Sequence, residues 1–225
     1  MADLTSVQLA ERLGITRRRA LELLADGRID GRQLTSGAWL VDSDSVARYE
    51  SSARRGSGRA LNASTAWGML WLLSGLDADW LSERTAARVR ARLRTVTAES
   101  IARAVSGRTR AHRYQAANAA KAADGLIATG RAVAGSLGVG LMDDRRTAVG
   151  YAKGTAAEHA ASRFMVEGPT GQHIVYDNTL PIDYAEATMP AAVIAADLAG
   201  STDTRERAGG LRALEELRNS WLARN

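Results

Sequence analysis

Three consecutive arginines, Arg17, Arg18 and Arg19, are the residues of this sequence whose type and spacing most directly indicate a chemistry. Each guanidinium is a planar fork of N–H donors that suits phosphate oxygens and the edge of guanine. Thr16 can cap a helix, which would place the arginines on its first turn. Cations at that end oppose the helix dipole, and an anionic partner would offset the cost. We therefore predict that this turn contacts nucleic acid; the alternative is a basic turn that faces solvent.

The residues around the arginines form the elements that must position them. Thr5 and Gln8 have the spacing of a capping box, and Gly14 suits the left-handed position that ends a helix. Further along, the pattern predicts a second helix over 17–26, strands over 29–34 and 38–41, and a short helix over 42–49. This order is typical of a winged helix-turn-helix, whose second helix reaches the major groove with its N-terminal residues.

The predicted DNA contacts lie on the second helix, just after it and on the hairpin. The hairpin positions could touch phosphate or the minor groove. The residues expected to bind DNA are Thr16, Arg17, Arg18, Arg19, Arg28, Arg32 and Gln33. One winged helix buries little DNA-facing surface, so we expect two copies, through a homodimer or cooperative binding at repeated sites.

This first fifth of the chain also resembles the excisionase and MerR-like family of DNA-binding domains. The resemblance rests on the helix and the turn that follows it, the basic helix, and the hairpin with its closing residues. The matching segments are Gly14-Ile15-Thr16, Gly27-Arg28-Ile29, Gly37-Ala38-Trp39-Leu40-Val41 and Asp44-Ser45-Val46. The family implies a winged helix-turn-helix that binds DNA.

Charge is unevenly distributed along the chain, and this bears on its partners. The net charge is +5, yet residues 1–113 carry 19 Arg against 12 acids, whereas residues 114–225 carry 9 Arg and 2 Lys against 13 acids. A basic front half predicts nucleic acid as its partner, and a mildly acidic back half predicts a different one. A GC-rich genome would also explain the preference for arginine over lysine. The difference in charge between the two halves is therefore stronger evidence for a nucleic-acid partner than the total number of arginines.

The composition indicates an intracellular, soluble protein. Cysteine is absent, which excludes disulfides, cysteine zinc sites and thiol nucleophiles, and fits a reducing cytoplasm. The longest apolar run, around residues 66–73, is too short to span a bilayer, and the N-terminus lacks the layout of a signal peptide. We therefore expect a cytoplasmic protein with no membrane partner.

An α+β fold in four segments is expected. Residues 1–50 form the winged helix-turn-helix, 51–60 a basic flexible linker, 61–113 a helical segment, and 114–225 an α/β domain with a small sheet. The helical segment is either a second, degenerate winged helix that ends in a strand over 108–114, or a connector. Its arginine-rich helix, which begins near residue 82, either adds nonspecific phosphate contacts or simply faces solvent.

The last segment alternates helix and strand patterns. Thr155 and Glu158 have the spacing of a second capping box. Apolar residues at spacings of three and four indicate a final amphipathic helix. The predicted elements are a helix over 115–127, strands over 146–152 and 172–177, and helices over 155–164, 190–198 and 204–221.

Three further stretches resemble actinobacterial helix-turn-helix proteins related to AbiEi, the antitoxin of AbiE-type toxin–antitoxin pairs. The stretches are 59–75, Arg113-Tyr114 with Val133-Ala134-Gly135, and 189–198 followed by 203–209. The resemblance implies a phage-defence antitoxin that represses its own operon by binding the promoter. It also implies that the C-terminal domain opposes a nucleotidyltransferase-like toxin.

Motifs for catalysis or metal binding are not found. His112, His159 and His173 are far apart and lack metal-ligand spacing, and the glycine-rich run over 135–140 lacks the order of a dinucleotide loop. We therefore predict no enzyme activity, no catalytic residue, no metal and no cofactor. The alternatives are a stand-alone transcriptional regulator whose back half dimerises or senses a ligand, and an enzyme with a DNA-targeting domain.

Overall fold

The computed structural model describes residues 4–25, 29–34, 36–43, 45–46, 49 and 60–225. Over these residues the protein is mixed α and β, with one three-stranded and one five-stranded sheet. The chain divides into two compact units, which we name unit 1 (Met1–Ser57) and unit 2 (Gly58–Asn225). Among the described residues, no helix combines the length and apolar character that crossing a membrane requires.

The elements of unit 1 whose bounds lie within the described residues are two helices and a small antiparallel sheet. The elements are β1 (Leu4–Thr5), α1 (Ser6–Leu13), α2 (Arg17–Ala25), β2 (Gly31–Gln33) and β3 (Trp39–Val41). Strand β3 lies between β1 and β2. The helices and the hairpin agree with the sequence prediction, whereas β1 was not predicted. The short helix predicted over 42–49 lies partly outside the described residues, as does almost all of the predicted linker over 51–60.

Local side-chain chemistry explains where the helices of unit 1 begin and end. The Thr5 hydroxyl accepts from the backbone N–H of Gln8, and the Gln8 side chain accepts from the Thr5 N–H at 2.9 Å, which confirms the capping box. Gly14 ends α1 in the left-handed region at φ 65°. The Thr16 hydroxyl then accepts from the N–H of Arg19 at 3.3 Å, so it caps α2 as predicted.

Unit 2 contains a series of helices and a larger sheet. The helices are α3 (Ala63–Leu73), α4 (Glu83–Leu93), α5 (Ala98–Val105), α6 (Ala119–Ala123), α7 (Ala156–Ser162), α8 (Ala191–Ala199) and α9 (Thr204–Arg224). The strands are β4 (Ala111–Gln115), β5 (Ile127–Ala128), β6 (Val149–Tyr151), β7 (Val166–Glu167) and β8 (His173–Tyr176). Two 3₁₀ helices span Ser106–Arg108 and Gly130–Leu137.

The five-stranded sheet has apolar side chains packed on both faces. Its order is β5-β6-β8-β4-β7, with β6 parallel to β8 and the other pairs antiparallel. Tyr151 and Tyr176 stack at 4.8 Å on the face that joins the larger core, formed mainly by α3, α8 and α9. On the other face, Val175 and Tyr114 pack against alanines of α6 and α7. Residues 61–113 and 114–225 therefore share one compact unit.

The helix predicted over 115–127 is wrong at both ends. Helix α6 spans only Ala119–Ala123, and Gly125 reverses the chain at φ 84°. Ile127, which looked like the apolar end of the helix, instead pairs with Tyr151 in the sheet and is 3% exposed. The apolar residue that extends the helical pattern, Ile127, therefore belongs to β5, an edge strand of the sheet.

Candidate nucleic-acid interface

The first turn of α2 presents its three arginines to solvent. Arg17, Arg18 and Arg19 are all exposed, whereas Ala20 and Leu23 on the other side of the helix are fully buried. The helix begins at Arg17 because Thr16 caps it, and the buried residues fix its orientation in unit 1. The arginines are therefore displayed by a helix that the core of unit 1 holds in place.

An acidic residue one turn further along α2 contacts two of the arginines. Glu22 accepts from Arg18 Nε at 3.3 Å and from Arg19 Nη1 at 2.9 Å. These two contacts, that of Arg19 first, hold the pKa of Glu22 below its ordinary value. Among the described residues no ion pair involves Arg17. The three guanidinium groups are therefore not equivalent.

A cleft of about 510 Å³ opens between the start of α1, the exposed side of α2 and the hairpin. Arg17 lines it from α2, Val7 from α1, and Gln33 and Trp39 from the hairpin. Val7 is 45% exposed, so the cleft combines a cation, an amide and accessible apolar surface. This combination can bind a phosphate or a base edge together with an apolar group.

The two hairpin residues predicted to touch DNA lie on opposite faces of the hairpin. Gln33 pairs with Trp39, and Arg32 pairs with Leu40. A Cβ added at Gly31 would lie 3.0 Å from a Leu24 methyl group of α2. Because side chains alternate along a strand, Gln33 shares the face that looks toward α2, and Arg32 points to the other face.

The structure thus brings some of the predicted site residues together and separates others. Arg17 and Gln33 line one cleft, and Thr16, which caps α2, directly precedes Arg17 in the chain. Arg32 is exposed on the far face of the hairpin, and Arg28 lies outside the described residues. The sequence analysis missed Glu22, although its spacing of three and four from two arginines is the usual spacing of helical ion pairs.

Unit 2 contains a buried polar cluster that the sequence analysis also missed. Arg108 forms an ion pair with Asp197, and both side chains are almost completely buried. Tyr151 donates to the Asp197 carboxylate at 3.1 Å, and Thr129 donates to it at 2.6 Å. Burial raises the pKa of Asp197, while Arg108 acts in the opposite direction. The sequence signal that could have revealed this cluster is an aspartate within the otherwise apolar helix α8.

The side chain of Arg108 lies over an indole at the centre of this cluster. Its guanidinium carbon is 5.2 Å from the centre of the Trp67 ring, and Nη2 donates to the Tyr151 hydroxyl at 2.9 Å. The polar groups therefore join the 3₁₀ helix before β4 to α3, α8 and the sheet. Nη1 and Nη2 of Arg108 have partners within the cluster, whereas the buried Nε has none. Because its contacts tie these elements together, the cluster is best explained as a structural element of the core.

The three histidines lie in separate environments. His112 lies between Glu167 and Asp177, at 3.2 and 3.0 Å. The His159 ring lies 2.8 Å from the carbonyl oxygen of Ala122. His173 is fully buried, and its Nδ1 accepts from a backbone N–H in the sheet. No group of three or more candidate ligand side chains that could hold a metal ion occurs within the described part of the chain.

Comparison with protein-family models, with curated proteins and with solved structures found no match to the chain.

Proposed function

We propose that unit 1 is a winged helix-turn-helix domain that binds double-stranded DNA through the first turn of α2. The observation that carries the proposal is the exposed run of Arg17, Arg18 and Arg19 beside the cleft that Gln33 shares. Helix, turn, helix and hairpin follow in the order of that class of domain, whose second helix places its N-terminal residues against base edges.

The contacts of the three arginines differ, and this difference supports different tasks for them in DNA binding. Arg17 lines the cleft without an acidic partner in the described residues, so its guanidinium is available for a phosphate or a guanine. Arg18 and Arg19 are held by Glu22, which restricts their rotamers before DNA is bound. Pre-oriented donors lose less conformational entropy on binding, which favours base contacts over diffuse attraction.

Binding of the full chain to a duplex from its own upstream sequence tests this proposal. Binding to a duplex of unrelated sequence gives the reference, at the same salt concentration. Arg17→Ala and Arg18→Ala should each weaken binding to the upstream duplex by about 1–3 kcal/mol if the residue contacts a guanine. Equal affinity of the wild-type protein for the two duplexes would overturn the proposal.

The two faces of the hairpin provide an internal comparison. Gln33→Ala should lower the preference for the upstream duplex because Gln33 shares the cleft with Arg17. Arg32→Ala should leave that preference unchanged and at most reduce the salt dependence by about one phosphate contact. If Arg32→Ala is the variant that loses the preference, the hairpin binds with its other face.

At the level of the whole chain, we propose an antitoxin that represses its own operon and counteracts a nucleotidyltransferase-like toxin. The support is the resemblance of residues 59–75, 189–198 and 203–209 to AbiEi-related antitoxins, together with the acidic balance of the back half. Such a repressor is expected to act as two copies, because one domain of this size covers little DNA.

Co-expression with the neighbouring gene tests this second level. Relief of growth arrest by the full chain, with co-purification of the two proteins, supports an antitoxin that acts by contact. Relief of growth arrest without co-purification supports an antitoxin that counteracts the toxin without binding it. If the neighbouring gene product is harmless alone, the antitoxin role fails, and a stand-alone regulator becomes the better explanation of the same DNA binding.

A further inference from the structure

Helix α4 of unit 2 carries an unusual density of positive charge. Four of its eleven residues are arginines, and a fifth follows at position 94. Arg84, Arg88 and Arg92 follow one another at a spacing of four, so they lie along one side of the helix with about 6 Å of rise between them. We name these three residues the arginine row.

Neighbouring acids do not neutralise the arginine row. Arg84 and Arg88 are exposed and Arg92 is half-buried, and none of the three forms an ion pair with any described residue. The polar contact within the row is a donation from Arg88 Nε to the backbone carbonyl of Arg84 at 3.4 Å. Like charges at this spacing destabilise a helix, so the row costs stability that an anionic partner would recover.

The core of unit 2 holds the arginine row in a fixed orientation. Val89 and Leu93 on the opposite side of α4 are buried. Ser82 caps the N-terminus of the helix. At the other end, Arg218 of α9 donates to the carbonyls of Leu93 and Arg94, at 2.8 and 2.9 Å. The three guanidinium groups therefore extend from one rigid helix rather than from a loop.

We infer that the arginine row binds the phosphate backbone of double-stranded DNA without reading its sequence. A duplex offers a regular series of anions, which matches cations repeated along a straight helix. The exposed residues between the arginines, Ala87 and Ala91, are small. The row therefore lacks the aromatic or large apolar anchor on which protein interfaces depend. Charge complementarity alone is the basis of this contact, and it does not depend on sequence recognition by unit 1.

A salt titration with the full chain tests the inference. The probe is a duplex of unrelated sequence, and the variant is Arg84→Gln with Arg88→Gln and Arg92→Gln. Each phosphate contact contributes about 0.9 to the slope of log affinity against log salt, so the triple variant should lower the magnitude of the slope by about 2 to 3. The control removes the same charge from exposed positions elsewhere in unit 2: Arg145→Gln, Arg146→Gln and Arg212→Gln.

The possible outcomes separate this inference from the function proposed for unit 1. A lower slope in the α4 variant than in the control supports the arginine row, whether or not the upstream duplex is preferred. Equal slopes overturn the inference and leave sequence recognition by unit 1 untouched. If the α4 variant keeps its slope but loses co-purification of the neighbouring gene product, the row binds an acidic protein, and the inference is wrong. Circular dichroism and thermal unfolding of both variants confirm that they are folded.

Discussion

In helix α2, Arg19 donates through Nη1 to Oε2 of Glu22 at 2.9 Å, so a carboxylate lies among the cations proposed to contact DNA. Arg18 contacts the other oxygen of the same carboxylate. An acid at this position has two opposite effects. It would repel the phosphates of a bound duplex, and it holds two guanidinium groups in defined positions.

Replacement of Glu22 by Gln should separate those two effects. Affinity for unrelated DNA should rise, because a negative charge near the phosphates is removed. Preference for the upstream duplex should fall by ~1 kcal/mol, because Arg18 and Arg19 lose the group that orients them. Binding to both duplexes at one salt concentration gives the affinity for unrelated DNA and the preference for the upstream duplex. Glu11→Gln on α1 is the control, because it removes the same charge from another helix of unit 1. If the preference for the upstream duplex stays constant, Glu22 forms only a surface ion pair and does not orient Arg18 and Arg19 for base contacts.

Removal of the Asp197 carboxylate should strongly destabilise unit 2. Asp197→Ala leaves the buried Arg108 without its counter-charge, which typically costs about 3–5 kcal/mol of unfolding free energy. Arg108→Met in the same chain removes the unpaired cation and should restore part of the loss. Urea unfolding of the two single variants and the double variant completes the cycle. If the two single losses simply add, the residues are not energetically coupled.

Gly210 should not tolerate a side chain, because α9 and α8 touch there. A Cβ at Gly210 would lie 2.4 Å from the backbone nitrogen of Ala199. Gly210→Ala must therefore push the two helices apart and should cost about 1–3 kcal/mol. Gly168→Ala is the matched control, since a Cβ there meets nothing within 4 Å. Thermal unfolding compares the two, and a tolerated Gly210→Ala would show that the helices can separate at little cost.

Acid should weaken unit 2 partly through Asp177. The Ala156 N–H donates to its carboxylate at 3.0 Å, and this contact, with a smaller effect of His112, lowers the pKa of Asp177. A carboxyl with a lowered folded-state pKa stabilises the protein fully above its unfolded value, and the contribution disappears as the pH falls through the folded value. Urea unfolding at neutral and acidic pH should therefore show a smaller loss of stability for Asp177→Asn than for the wild-type chain. Equal losses would exclude Asp177 as a source of the pH dependence.

Local rules predicted the helices and the hairpin of unit 1 because each depends on residues close in sequence. Thr5 with Gln8 and Thr16 with Arg19 are contacts across three positions, and Gly14 acts through its own backbone. Strand β1 escaped prediction because it has only two residues. It forms by pairing with β3, more than thirty residues later in the chain.

Features that depend on distant partners could not be predicted from the sequence. The alternation that places Gln33 toward α2 and Arg32 away from it follows from the hairpin register, which the sequence left open. Ile127 continued a helical pattern, and only its pairing with Tyr151 made it a strand residue. Arg108 and Asp197 are 89 positions apart, and no pattern of spacing connects them.

Strand β4 lies inside the larger sheet, with β8 on one side and β7 on the other, although it directly follows the helical segment of unit 2. A gene rearrangement that joined the helical segment to a foreign back half would deprive the sheet of an interior strand. The helical segment and the sheet of unit 2 therefore depend on each other for an intact fold. The first 57 residues form their own compact unit, so an exchange of these residues would leave the strand order of the larger sheet unchanged.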